Sequence, residues 1–183
     1  MNPAANLFLI GPMGAGKTSI GRRLAAQLGL AFVDLDLAFE ERAGVSIALT
    51  FEIEGEAGFR KRESALLAEL VERRDIVLST GGGAVLDPGN REQLRNHGFV
   101  VWLDADVDTQ LHRLHADRKR PLLGVGDRRE QLERLAAIRN PLYAEIADLR
   151  IGASGTHGSA SMARHAGAQI AQLWRRSHDG GKA

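Results

Sequence analysis

Three features of the 183-residue sequence predict an α/β domain built on a parallel sheet. Short apolar runs, suited to strands buried on both faces, recur along the chain. Stretches with helical patterning separate them, which is the alternation of a doubly wound domain. A glycine-rich turn joins the first run to the first helical stretch, at the sheet edge where such folds bind ligands.

In order, the strands are predicted at 6–10, 31–34, 76–79, 99–103 and, least apolar, 149–151. The helices are predicted at 17–28, where Ile20, Leu24 and Leu28 repeat on one face, then at 35–43, 58–73, 87–96, 107–116 and 128–146. A last amphipathic helix at 161–175 carries Ile170, Leu173 and Trp174 on its apolar side. The Gly- and Ser-rich stretch 152–160 reads as a loop and 177–183 as a frayed tail, leaving 1–176 as one domain. No internal repeat is visible.

Composition bounds the function. With 44% hydrophobic and 26% charged residues the chain can bury one substantial core. A net charge of +1 argues against general nucleic-acid binding, which needs a dense basic face. Lys17, Lys61, Lys119 and Lys182 are the only lysines among 24 basic residues. That arginine bias suits an anionic small substrate, and follows equally from genome composition. There is no cysteine, so disulfides and thiolate zinc sites are excluded and a reducing cytoplasm is the expected setting. The start of the chain lacks a signal peptide's basic region, and the apolar run 7–10 is too short to span a membrane, so a soluble, unprocessed protein is expected.

The sharpest motif is Gly11-Pro12-Met13-Gly14-Ala15-Gly16-Lys17-Thr18, which fits the phosphate-binding spacing G-x-x-x-x-G-K-[ST] between a strand and a helix. Glycines let successive N–H groups turn inward around a β-phosphate, and the helix N-terminus adds partial positive charge. Lys17 is then placed to reach the β- and γ-phosphates and Thr18 to coordinate Mg²⁺. Such a loop serves GTPases, transport ATPases, helicases and kinases. The chain has no room for helicase or transporter modules and no Asn-Lys-x-Asp base-reading segment, which leaves a compact kinase.

Other charges could face a substrate. Asp34 and Asp36 lie two apart at a strand's C-terminal end. They fit a magnesium ligand and a proton acceptor, or a pair that caps the next helix. Arg60, three residues before Glu63, fits a preorganised carboxylate grip or a surface ion pair. Gly81-Gly82-Gly83, after Thr80, fits close backbone approach to a ligand or a tight turn. Arg118-Lys119-Arg120-Pro121-Leu122-Leu123 fits a closing lid or a solvated basic loop. Arg139 precedes Asn140-Pro141-Leu142-Tyr143 near an expected helix interruption. His112 and His115 share a helix face without nearby carboxylates and read as surface residues, not metal ligands.

In this order, 11–18, Asp34-Leu35-Asp36, Phe51 through Phe59-Arg60, Thr80-Gly81-Gly82-Gly83, Arg120-Pro121-Leu122-Leu123 and Arg139 through Tyr143 resemble the shikimate kinase family over residues 5–175. The resemblance implies a P-loop, nucleoside-monophosphate-kinase-like fold with a central five-stranded parallel sheet. It implies transfer of the ATP γ-phosphoryl group to the 3-hydroxyl of shikimate by a monomer, with Mg²⁺. By it, Gly14, Ala15, Gly16, Lys17, Thr18 and Ser19 hold the nucleotide, with Arg113 against adenine and Arg120 on a lid at about 114–127. Asp36 becomes the catalytic base and Asp34 joins Thr18 around magnesium. Arg60 and Arg139 clamp the shikimate carboxylate beside Gly81, Gly82 and Gly83, with Phe51 and Phe59 as apolar walls in a substrate-binding region at about 35–62. Thr50 stands where an aliphatic residue is expected, and 152–160 does not align with the family's adenine-contacting segment. The rivals are a kinase of the same fold for gluconate or a nucleoside monophosphate, and a catalytically silent ATP-binding module.

Overall fold

The computed structural model describes residues 5–114, 127–152 and 159–174. The elements run β1 (Asn6–Ile10), α1 (Lys17–Leu28), β2 (Ala31–Asp34), α2 (Leu35–Ala43), α3 (Ile47–Val71), β3 (Ile76–Ser79), α4 (Pro88–His97), β4 (Gly98–Asp104), α5 (Val107–Leu114), α6 (Arg128–Ile146), β5 (Leu149–Gly152) and α7 (Ser159–Leu173). A short 3₁₀ turn, Ala84–Leu86, precedes α4.

The five strands pair in parallel in the order β2-β3-β1-β4-β5. β1 takes the centre because it is buried at every position, and its alternation divides the core. Leu7 and Leu9 pack with Ile20 and Leu24 of α1 and with Ala166 and Ile170 of α7. Phe8 and Ile10 face the other layer, with Phe39 of α2, Leu67 and Leu70 of α3, Leu94 of α4 and Tyr143 of α6. Asn6 ties down the N-terminal edge of the sheet. Its Nδ2 donates to the carbonyls of Val71 and Arg73 and to that of His97, while Oδ1 accepts from the Ile76 N–H. Each strand therefore delivers its C-terminal end to the opposite edge, where the phosphate-loop motif, Asp34 and the triple glycine collect.

Two expectations are corrected. The third helix begins at Ile47, not 58: Ser46 Oγ accepts from the Leu49 N–H to cap it, and Gly55, at φ 71°, kinks it internally. Gly55 and the glutamates around it concealed a helical turn on each side. The interruption expected beside Arg139 is absent, since α6 runs on through Pro141 at the cost of one backbone donor. Thr50 is buried, and its hydroxyl donates to the Ser46 carbonyl. The basic segment with Arg118, Lys119 and Arg120, His115, most of the 114–127 lid and the 177–183 tail lie outside the described residues. Among the described residues no helix is long and apolar enough to cross a membrane.

Candidate active site

After β1 the chain turns through Gly11, Gly14 and Gly16, all at positive φ. Gly11 is required twice, because its φ is 136° and a Cβ there would run into the Leu103 carbonyl at the end of β4. Lys17 opens α1, and its ammonium donates to the Gly11 and Pro12 carbonyls at 2.7 and 2.9 Å, folded back across the loop. Arg113, from α5, braces the loop from outside by donating to the Gly14 and Ala15 carbonyls at 3.0 and 3.3 Å.

Thr18 Oγ1 donates to Asp34 Oδ2 at 2.7 Å. The other Asp34 oxygen caps α2, accepting from the Asp36 and Leu37 N–H groups. The helix-cap reading of Asp34 therefore holds for one oxygen, and the other is paired with the Thr18 hydroxyl. Asp36, in the first turn of α2, faces the same cleft of about 300 Å³ as Gly14, Gly16, Lys17, Thr18, Ser19, Gly82 and Arg113.

The glycine turn after β3 has a physical reason at each position. A Cβ on Gly81 would stand 2.8 Å from Glu63 Oε1 and 2.9 Å from Asp36 Oδ1. One on Gly82 would stand 3.4 Å from the Gly11 carbonyl and 3.6 Å from Arg139 Nη1. One on Gly83 would overlap the Arg60 guanidinium, 2.6 Å from its Cζ. The missing side chains let backbone approach three charged groups and the phosphate loop together.

Arg60 lies over the Phe59 ring, 5.0 Å from its centroid. Its Nη1 donates to Glu63 Oε2 at 2.6 Å, and its Nε and Nη2 reach Glu56 more loosely. Of the two alternatives for Arg60, a preorganised grip or a surface ion pair, the surface pair does not describe Glu63, which is only 1% exposed. Burial pushes the Glu63 carboxyl up and the Asp36 charge adds to this, while Arg60 and Arg139 oppose. Glu63 Oε1 has no hydrogen-bond partner among the described residues.

Arg139, on α6, is 4% exposed, and its Nε also has no hydrogen-bond partner among the described residues. Burial pulls its guanidinium below the usual arginine range, with Arg60 beside it contributing. One helical turn on, the Tyr143 hydroxyl donates to the Gly82 carbonyl at 2.5 Å, and burial pushes its pKa up to about 12. The Arg60–Glu63 pair expected from their spacing is present, whereas the burial of Glu63 and the part played by Tyr143 were not read from the sequence. The available signal was spacing, since Tyr143 stands four residues from Arg139 and so shares its helix face. His112 is exposed, and among the described residues no group of three or more His, Cys, Asp or Glu side chains could hold a metal.

A family model described as shikimate kinase matches residues 13–170. A shikimate kinase of Stenotrophomonas maltophilia is 52% identical over 96% of this chain and 97% of its own length. A shikimate kinase from Acinetobacter baumannii, solved in complex with shikimate, superposes with a TM-score of 0.85 at 46% identity, over 93% of this chain and 92% of that one. A gluconokinase from Sinorhizobium meliloti, 17% identical over 94% of this chain and 95% of its own, shares the fold at a TM-score of 0.61. A parallel sheet ending in a phosphate loop, a carboxylate pair and an arginine-lined glycine turn, together with these matches, places the chain in the shikimate kinase family.

Proposed function

We propose that the chain transfers the γ-phosphoryl group of ATP to the 3-hydroxyl of shikimate, giving shikimate 3-phosphate and ADP. The observation that carries this reading is the shared glycine turn. Gly82 lines the phosphate cleft together with Asp36, and the same turn meets Arg60 at Gly83 and Arg139 at Gly82. A carboxylated polyol needs paired guanidinium groups for its carboxylate and a carboxylate for its hydroxyls, and both are set against the phosphate loop.

In this reading the N–H groups of Gly14 to Ser19 hold the ATP phosphates, and Lys17 exchanges its two loop carbonyls for phosphate oxygens. The residues fit a magnesium ion: the Thr18 hydroxyl and Asp34 carboxylate are hard oxygen donors 2.7 Å apart, a sparse set of the kind Mg²⁺ takes beside phosphates. When bound there, the ion supplies charge neutralisation on the phosphate oxygens. Arg60 and Arg139 orient the acceptor by its carboxylate, and Phe51 and Phe59 wall the site. Asp36 accepts the proton of the attacking hydroxyl. That oxygen bonds to the γ-phosphorus as the bond to the β–γ bridging oxygen breaks, and ADP leaves. Arg120, carried over from the resemblance, stabilises the transferring group from a lid at about 114–127 that excludes water. Arg113 sits against the adenine as well as bracing the loop.

The same reading makes 1–176 one kinase domain, with acceptor contacts at about 35–62. It acts as a monomer in the cytoplasm on small molecules, not on nucleic acid or membranes, in keeping with a net charge of +1. The test is ADP release from Mg-ATP with no acceptor, shikimate, gluconate or AMP. Stimulation by shikimate alone is expected. Stimulation by another acceptor would overturn the roles of Asp36, Arg60 and Arg139, and stimulation by none would leave a silent ATP-binding module.

A further inference from the structure

Glu63 is placed where its charge depends on what Arg60 holds. One carboxylate oxygen, Oε2, accepts from Arg60 Nη1 at 2.6 Å. The other, Oε1, is buried with no hydrogen-bond partner among the described residues. Oε1 and Asp36 Oδ1 both lie within 3 Å of the point where a Gly81 Cβ would stand, which puts them less than 6 Å apart. The free protein thus keeps two acidic groups close together, Glu63 buried and Asp36 half-buried at the cleft, and the Arg60 guanidinium is the group bonded to Glu63.

Acceptor binding spends that balance. In the reading above, the shikimate carboxylate docks on Arg60, so the same guanidinium faces a second anion, and water leaves the corner. We propose that Glu63 is a positioning residue that takes up a proton when the acceptor carboxylate docks on Arg60, so that shikimate binding is coupled to proton uptake. The neutral carboxyl keeps accepting from Arg60 through Oε2 and gains an O–H on the oxygen that now lacks a partner. One buried charge is removed as another arrives, and Arg60 is left free to satisfy the substrate.

The neighbours of Glu63 are consistent with this. Burial already pushes its carboxyl up; Asp36 of α2 pushes the same way, and Arg60 of α3 and Arg139 of α6 oppose. Glu56 of α3 touches Arg60 only at 3.3 to 3.4 Å and is half exposed, so it cannot substitute as a buried counterion. Arg91 of α4 is held by the Val85 and Leu86 carbonyls and Glu145. Tyr143 of α6, with its pKa near 12, stays neutral.

The proposal rests on shikimate being the acceptor, and calorimetry separates the two claims. At each pH from about 5 to about 8, shikimate is titrated into the nucleotide-free protein in two buffers that both buffer at that pH and differ in ionisation enthalpy. The binding heat is expected to differ between the buffers by an amount that reports net proton uptake. Affinity should fall as pH rises through the window between the Glu63 pKa of the free and of the bound protein, by at most about tenfold per pH unit. Glu63→Gln should bind shikimate with the same heat in both buffers. Buffer-independent heat in the native protein at every pH, or an unchanged buffer dependence in Glu63→Gln, would overturn the proposal alone. Absence of shikimate binding, with another acceptor stimulating turnover, would overturn the acceptor reading and the proposal with it. If Glu63→Gln does not fold, infrared difference spectra of the native protein read the same proton. A protonated-carboxyl C=O band that grows on adding shikimate supports the assignment, and its absence refutes it.

Discussion

Gly83→Ala adds one methyl group and should act almost entirely on the acceptor. The new Cβ would overlap Arg60 Nη2 and stand 2.6 Å from Cζ and 2.7 Å from Nη1, distances that a Cβ, which makes no hydrogen bond, does not sustain. The backbone at Gly83 is ordinary, with φ −99°, so alanine is not strained there and the guanidinium is what must move. Moving it breaks the 2.6 Å bond to Glu63 and takes Arg60 from its place in the carboxylate clamp. A hydrogen bond to a charged group contributes about 1.5 to 3 kcal/mol, so losing the Arg60 share of the clamp should raise the shikimate KM roughly ten- to a hundredfold. The ATP KM should change little, because the phosphate loop meets Gly82 and not Gly83. Steady-state ADP release against shikimate at saturating Mg-ATP, then against ATP at high shikimate, measures both. Gly29→Ala is the control. Its φ of 65° makes alanine cost about 1 kcal/mol of stability, yet nothing lies within 4 Å of its Cβ and it is remote from the turn, so Tm should fall without a change in shikimate KM. A Gly83→Ala protein with native shikimate KM would refute the placement of Arg60 in the clamp.

Lys17→Ala should remove turnover, by at least about a hundredfold in kcat, since it deletes the phosphate cation and also frees the Gly11 and Pro12 carbonyls it ties together. Tyr143→Phe leaves the partly buried Gly82 carbonyl without its donor, and should cost about 0.5 to 1.5 kcal/mol of stability in denaturant titration and raise shikimate KM more than ATP KM. Asn6→Leu removes the bonds that join β1 to the ends of α3 and α4 and to β3, and should cost about 2 to 3 kcal/mol while kcat stays native, as measured by unfolding and by assay at low temperature. For pH, the Glu63 carboxyl is raised in the folded protein above its ordinary value of 4.5, so the stability it confers is complete below that value and is lost as pH rises through the folded value. Glu63→Gln should therefore gain in Tm relative to the native chain as pH rises across that window, and a difference in Tm that is constant with pH would contradict the shift.

The strands were legible because a centrally buried parallel strand has to be apolar at successive positions, and β1 and β4 are. The phosphate loop was legible because only glycine takes the backbone it needs at 11, 14 and 16. The start of α3 was not, because a kink at glycine and a helix end carry the same local signal, and only the Ser46 cap and the packing of Ile47 and Phe51 against the core distinguish them. Burial of charge was the other illegible property. Arg60 and Glu63 at a spacing of three describe an exposed pair as well as a buried one, and it is Gly81 and Gly83, about twenty residues later, that allow a main chain to lie over them. Arg139 is similar, since a helical arginine is exposed by default until Tyr143, Met13 and the Gly82 backbone close around it.

The three glycines also explain how two binding sites come to share one wall. At 81 and 83 a side chain would collide with Asp36, Glu63 and Arg60, the groups assigned to the acceptor in the proposed reading. At 82 a Cβ would stand 3.4 Å from the Gly11 carbonyl and 3.5 Å from the Met13 nitrogen, which are parts of the phosphate loop. The turn is thus packed on the nucleotide side at its middle residue and on the acceptor side at its two ends, while Tyr143 fixes the middle carbonyl from below. Phosphoryl transfer depends on the separation of the attacking oxygen and the γ-phosphorus, and in the proposed reading one residue of backbone, with no side chain to widen it, lies between the two sites. Lys17 and Asp36 reach the same cleft from the helices that follow β1 and β2, strands that do not neighbour each other in the sheet, because β3 lies between them. The residue that joins them is therefore on β3's own exit turn, and it has to be glycine.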